Sequence, residues 1–326
     1  GTENDSESES IFKNHSVIAV KIAPSDNTVI WAAYNRYVAK SMDGGWTWTL
    51  IEVPDIYVND RFCHSLAVDP SDSQTVYVGT SGPVDDGDNG AIYKTDDGGE
   101  TWTKMNQFAD FDFTVIDIAV DPQNSQIIWS VTNSEGTGGV FGGTLYRSGD
   151  GGENWDAIFS LTPLGGTFFA VAVKPDDSNT VFTASEGESG SDYSLGLIRH
   201  FFDGNNWNQE QPYDSDCVLD LTFDPQDSDT LYASEIDRIR KSDDGGETWQ
   251  TYDNDTSFWS IAVHPTDFDV IFGGENNRGV YKGVYDGQAE NYTWTPMNDG
   301  LNAVLVQDIA LDPNDTTHIL AGTISG

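Results

Sequence analysis

Residues 241–250 read KSDDGGETWQ. Two aspartates run into two glycines, and a tryptophan lands on the far side of what must be a tight chain reversal. The phrase returns as SMDGGWTW (41–48), TDDGGETW (95–102), SGDGGENW (148–155) and SDDGGETW (242–249). Asp43, Asp97, Asp150 and Asp244 are placed to accept hydrogen bonds from the backbone N–H groups of their own turns. The glycines permit positive φ there, as a hairpin between two strands requires. Trp48, Trp102, Trp155 and Trp249 then pack back over the hairpin and bury a large apolar area. Weaker versions stand at FFDGNNW (201–207) and YDGQAENYTW (285–294).

A second repeat frames the first. Apolar runs end in proline at Pro24, Pro70, Pro122, Pro175, Pro225, Pro265 and Pro313, spaced 40 to 53 residues apart. After each proline come a polar turn, an alternating strand such as TVYVGT (75–80), a loop, and a third strand such as AIYKT (91–95). The Asp-Gly-Gly turn and a fourth strand follow. No segment carries a helical period. Seven such units predict an all-β fold: a seven-bladed β-propeller of four-stranded antiparallel blades. The seventh unit stops at AGTISG, so the last blade is expected to be incomplete, with residues 8–14 available to add one outer strand. The domain division is 1–10 as a disordered, polar N-terminal tether of the kind left when a leader is removed, and 11–326 as a single propeller.

Charge narrows the function classes. Against 54 acidic residues stand 15 Lys and Arg, a net charge of -39. Such a surface repels nucleic acid and anionic lipid. The acid is spread along the whole chain, which suggests adaptation to high salt; an ordinary acidic secreted protein is the alternative. Ten Trp, 13 Tyr and 16 Phe set the chain apart from disordered acidic sequences. No apolar run reaches membrane-spanning length. Sequons at Asn4, Asn14, Asn254, Asn291 and Asn314 favour an extracellular or cell-surface location.

Two candidate sites follow from the repeat. Counting back from each proline gives a channel-lining column of Ala19, Ser65, Asp117, Ala170, Asp220, Ser260 and Asp308. Asp117, Asp220 and Asp308 can hold a Ca²⁺ or Na⁺ ion, or can contact channel water and neighbouring backbone N–H groups. On the face opposite the Asp-Gly-Gly turns, blades two to four carry long loops (81–90, 133–143 and 186–196). Blades one, five and six carry short ones, each with an arginine: Arg36, Arg238 and Arg278, with Tyr34 and Tyr37 near the first. Three guanidinium forks on one side of the mouth suit an anionic group; the alternative is local pairing, such as Arg238 with Glu235 or Asp237. The loop PVDDGDNG (83–90) misses the calcium-loop register of an EF-hand.

Familiar catalytic motifs are missing. The five histidines have no zinc-type spacing, and no G-x-S-x-G, phosphate loop or HExxH occurs. Cys63 and Cys217 fall on inner strands of opposite blades, too far apart for a disulfide, and are expected as free thiols.

The hairpin pattern resembles the Asp-box, or BNR repeat. Sialidases resemble the chain in these boxes, and their three substrate-binding arginines are echoed by the loop arginines. Their early Arg-Ile-Pro motif and Tyr–Glu nucleophile have no counterpart. Xyloglucan-degrading glycosidases use similar hairpins but join two propellers around a cleft. Sortilin-type receptors use ten blades. The photosystem II assembly/stability-factor family is closest in layout over residues 17–323, with one seven-bladed ring serving as a binding scaffold. These resemblances imply a secreted or surface-tethered, non-enzymatic propeller that binds a protein, peptide or glycan at the loop face and needs no cofactor. One alternative is a sialidase-like glycoside hydrolase or lyase acting on acidic polysaccharide. Another is a structural subunit of a surface assembly, with the last blade completed by another chain.

Overall fold

The structure is a computed structural model. It describes residues 12, 16–53, 56, 62–82, 90–105, 113–135, 141–162, 165–187, 195–215, 217–253, 257–299 and 305–324. The tether 1–10, the sequons at Asn4, Asn14 and Asn254, and much of the three long loops lie outside these residues.

Six sheets repeat one plan: four antiparallel strands in sequence order, joined by hairpins. Blade one comprises β1 (Val17–Ala23), β2 (Asp26–Tyr34), β3 (Tyr37–Ser41) and β4 (Thr49–Ile51). Blade two is β5 (Cys63–Asp69), β6 (Asp72–Thr80), β7 (Ile92–Thr95) and β8 (Thr103–Lys104). Blade three is β9 (Phe113–Val120), β10 (Ile128–Glu135), β11 (Phe141–Ser148) and β12 (Asp156–Ser160). Blade four is β13 (Gly166–Val173), β14 (Thr180–Gly187), β15 (Leu197–Phe202) and β16 (Trp207–Glu210). Blade five is β17 (Val218–Phe223), β18 (Leu231–Glu235), β19 (Arg238–Ser242) and β20 (Gln250–Asp253). Blade six is β21 (Phe258–Val263), β22 (Val270–Glu275), β23 (Gly279–Asp286) and β24 (Asn291–Pro296). The seventh sheet has two strands, β25 (Leu305–Leu311) and β26 (Ile319–Ile324). The propeller of four-stranded antiparallel blades is thus as the repeat predicts, with two strands in the seventh sheet among the described residues.

The Asp-Gly-Gly turns close on themselves. In blade five, Asp244 accepts from the Thr248 N–H at 2.8 Å and from the Thr248 hydroxyl, while Ser242 Oγ accepts from the Gly246 N–H at 2.8 Å. Trp249 Nε1 returns to the Gly246 carbonyl at 3.1 Å. Blades one and three repeat the lock through Asp43 and Trp48 and through Asp150 and Trp155. Gly246 sits at φ 89°, and a Cβ there would lie 2.4 Å from the Phe182 ring of blade four. The glycine therefore serves both the turn and the packing of one blade on the next. Each tryptophan lies against the preceding blade: Trp102 on the core around Trp31, and Trp249 on Tyr213 with ring centroids 5.3 Å apart. Blades share cores, which is why no single blade needs to be stable alone.

Each inner strand carries one extra residue near its start. Pairing skips Ile18, His64, Ile116, Phe169, Leu219, Trp259 and Gln307. These seven bulges twist the inner strands at the loop-face end of the channel. They also set the channel-lining column one residue beyond them.

Candidate functional site on the loop face

The column carboxylates turn out to be fasteners between blades. Asp117 of blade three accepts from the Val171 N–H of blade four at 2.9 Å. Asp220 of blade five accepts from the Ile261 N–H of blade six at 2.8 Å, and Asp308 of blade seven from the Val20 N–H of blade one at 2.9 Å. Ser65 reaches the Val115 carbonyl at 3.1 Å, and Ser260 accepts from the Ile309 N–H at 3.1 Å. Only the columns of blades one and four, with Ala19 and Ala170, lack a polar group here. The contacts with neighbouring N–H groups that the sequence reading allowed are thus present. Among the described residues, no group of three or more His, Cys, Asp or Glu is arranged to hold a metal ion.

Among the described residues, one cation stands in the channel. Lys21 Nζ donates to Asp308 at 2.8 Å, from a layer in which blades two, three, four, six and seven place alanine: Ala67, Ala119, Ala172, Ala262 and Ala310. Burial pulls the Lys21 ammonium down, but Asp308, Asp117 and Asp220 together outweigh it and hold the pKa above its ordinary value. Burial pushes the Asp117 carboxyl up to about 6, against the pull of Lys21. Asp220 is pushed up to about 7, again chiefly by burial, with the Ile261 N–H opposing.

The three loop arginines have different neighbours among the described residues. Arg36 stacks over Phe62, 5.5 Å from the ring centroid. Arg278 Nε lies 3.7 Å from Glu275, and Arg238 Nε lies 3.8 Å from Glu235, each pairing with the acid three residues before it. Tyr34 is a core residue, buried among Ala32, Ala39 and Phe12, and burial pushes its phenol up to about 12. Tyr37 packs beside it with centroids 5.8 Å apart.

Arg238 does border a cavity of about 300 Å³ at the mouth of blade five, together with Asp214, Cys217, Glu235, Asp237 and Arg240. Alternation along β19 puts Arg238 and Arg240 on one face. Glu235, at the end of β18, is buried and accepts from Arg240 Nε at 2.8 Å. Arg240 is fixed further by Thr251 Oγ1 at 3.0 Å and by the Tyr213 ring, 4.1 Å below its guanidinium. Burial, then the Glu235 charge, pushes the Tyr213 phenol well above its ordinary value. Asp237 holds the turn at φ 65°, a conformation that Asp tolerates better than most residues. The cavity thus presents three carboxylates, two guanidinium groups and the exposed Ile236 side chain: a wall of donors and acceptors suited to a polyhydroxylated ligand. The sequence reading named Arg238 and its pairing with Glu235 but missed Arg240, although its spacing from Glu235 around the turn was there to be read.

Cys63 and Cys217 are free thiols; Cys63 is buried and its thiol is pushed up to about 12 by burial, while Cys217 is half-buried. Asn314 is exposed in a turn of blade seven, and Asn291 begins β24. No helix among the described residues is long and apolar enough to cross a membrane.

No protein-family model matches the chain. It is 25% identical over 361 residues to a xyloglucanase of Hypocrea jecorina, covering 96% of this chain and 41% of that protein. It is 24% identical to a probable oligoxyloglucan-reducing end-specific xyloglucanase of Neosartorya fischeri, covering 94% and 43%. The chain therefore spans less than half the length of these relatives. Among solved structures, the xyloglucanase of family GH74 from Xanthomonas campestris superposes with a TM-score of 0.68 at 18% identity, over 96% of this chain and 51% of that one. YCF48 bound to D1 peptide superposes at 0.60 and 15% identity, over 96% and 93%. At such identities the structural likeness establishes the β-propeller fold. The named relatives overturn the expectation of a non-enzymatic binding scaffold: the curated proteins similar to this chain are xyloglucanases, and the glycoside-hydrolase alternative fits them better.

Proposed function

We propose that this chain is a propeller unit of a glycoside hydrolase acting outside the cell on a neutral, xyloglucan-type β-glucan. The observation that carries the reading is the match, along 93–96% of the chain, to proteins named xyloglucanases from two fungi and a Paenibacillus. Charge supports the neutral substrate over the acidic polysaccharide of the sequence-based alternative. A chain of net charge -39 repels a polyanion, whereas an uncharged glucan meets no such barrier.

Glycoside hydrolysis commonly needs two carboxyl groups flanking the scissile bond. In this reading the blade-five cavity contributes carboxylates from Asp214, Glu235 and Asp237, with Arg238 and Arg240 fixing sugar hydroxyls. Since the relatives are more than twice as long, a second unit supplies the opposite wall of the cleft.

Affinity electrophoresis tests this without requiring turnover by the isolated unit. The chain is expected to be retarded in gels containing xyloglucan and unaffected by polygalacturonate. Arg238→Ala is expected to weaken that retardation about tenfold, the scale of one lost charge-assisted hydrogen bond. Migration that xyloglucan leaves unchanged refutes the proposal.

A further inference from the structure

The inner-strand bulges shape the mouth of the channel as well as the column beneath it. Phe169 of blade four and Trp259 of blade six are both bulge residues, on blades separated in the ring by blade five. Their rings nevertheless lie 6.5 Å apart, edge to face at 80°. They can meet only by leaning over the channel, past Leu219, the bulge residue of blade five. Phe169, Leu219 and Trp259 therefore form an apolar plate on this side of the mouth, next to the Ala170, Asp220 and Ser260 layer.

The members of the plate are covered unequally. Leu219 is buried, and Phe169 rests on the core around Leu197 and Val218. Of the seven bulge residues six are buried or half-buried, whereas Trp259 is exposed, at 40%. Packing does not require an indole at this place, since the other blades fill it with Ile, His, Phe, Leu and Gln. The edge contact with Phe169 fixes the indole while leaving much of it open to a ligand.

The plate adjoins the blade-five cavity. Cys217 lines that cavity, Val218 pairs with Glu235 in its wall, and Leu219 follows on the same strand. A ligand reaching from the cavity toward the channel axis thus passes from charged donors and acceptors to an uncharged aromatic surface. A β-linked glucan has the matching form: hydroxyl groups project from the edge of each sugar ring, and C–H groups cover its faces. Arg238, Arg240 and the neighbouring carboxylates suit the edge of one sugar, and an open indole suits the face of the next. The net charge of -39 again favours an uncharged chain over an acidic one.

We infer that Trp259, backed by Phe169 and Leu219, is a stacking subsite for the pyranose face of an uncharged β-glucan, beside the sugar held at Arg238 and Arg240. The inference takes its ligand from the function proposed above but stands on different residues.

The test compares the whole chain with its variants in gels containing xyloglucan. Trp259→Ala and Trp259→Leu are expected to weaken retardation about three- to tenfold, the scale of one lost aromatic contact, and Trp259→Phe to keep most of it. Leucine fills space without a ring, so a packing role alone would leave Trp259→Leu close to the parent. In ultraviolet difference spectra a soluble xyloglucan oligosaccharide is expected to perturb the indole absorbance of the parent but not of Trp259→Phe. Retardation of Trp259→Ala equal to that of the parent, with Arg238→Ala weakened, overturns this subsite and leaves the proposed function standing. A parent that xyloglucan does not retard overturns both. A dimer in sedimentation that Trp259→Ala abolishes and xyloglucan does not dissociate also overturns the subsite, because a second copy would then cover the plate.

Discussion

Asp220→Asn is the most informative single substitution in the channel. Asp220 is held at about 7 by burial, against an ordinary value of 3.8, and Asp117 at about 6. Between those limits the folded chain retains protons that the unfolded chain has released. Stability from the pair is therefore complete below about pH 4 and is lost as pH rises through 6 and 7. For Asp220 the gap between 3.8 and about 7 corresponds to roughly 4 kcal/mol lost on going from acid to pH 8. The pull of Lys21 and the Ile261 N–H is already contained in that balance. Asn keeps one oxygen for a backbone N–H but cannot ionise. Urea unfolding, followed by tryptophan fluorescence at constant ionic strength between pH 4.5 and 8, reads the difference directly. The parent is expected to lose roughly 3 kcal/mol more than Asp220→Asn over this range, which begins above the unfolded value of 3.8, and the general repulsion of an acidic chain cancels in the comparison. Parallel profiles would refute the assignment of Asp220 as a half-buried, protonated fastener.

Two further substitutions probe the frame. Asp308→Ala removes the acceptor for the Val20 N–H and the partner of the part-exposed Lys21 at the joint where the ring closes, and is expected to cost about 1–3 kcal/mol by denaturant unfolding; a loss under 1 kcal/mol would mean that other contacts close the ring. Gly246→Ala forces a side chain into left-handed backbone and against Phe182, with an expected loss of about 2–4 kcal/mol in the same assay, whereas Gly204→Ala, with open space around it, should cost only the backbone part, about 1–2 kcal/mol.

The ring was legible because its punctuation is local. Proline ends each inner strand, and Asp-Gly-Gly turns carry their own hydrogen-bond partners within a few residues. The eroded turn at Gly204, still at φ 95°, could be placed only because its neighbours were clear. The site was less legible because its partners are distant in sequence. Asp308 and Val20 lie at opposite ends of the chain, and whether a column carboxylate faces water, a cation or the next blade depends on blade-to-blade offset. The seven bulges set that offset and leave no mark in the alternation of apolar residues. Arg36, Arg238 and Arg278 looked equivalent because their loops are; the structure distinguishes them by what lies beside each, and only Arg238 borders the blade-five cavity.

The basic residues stacked along the third strands bear on how this molecule meets enzymes and reagents. Trypsin recognises Lys and Arg, and ten of its 15 cleavage points lie within strands, Lys21 among them and tethered inside the channel. In the folded chain trypsin should therefore cut first at the turn arginines Arg36 and Arg278 and spare the strands. Amine-directed coupling would in turn attack the lysines that hold the blades together, making carboxyl chemistry the gentler way to immobilise it.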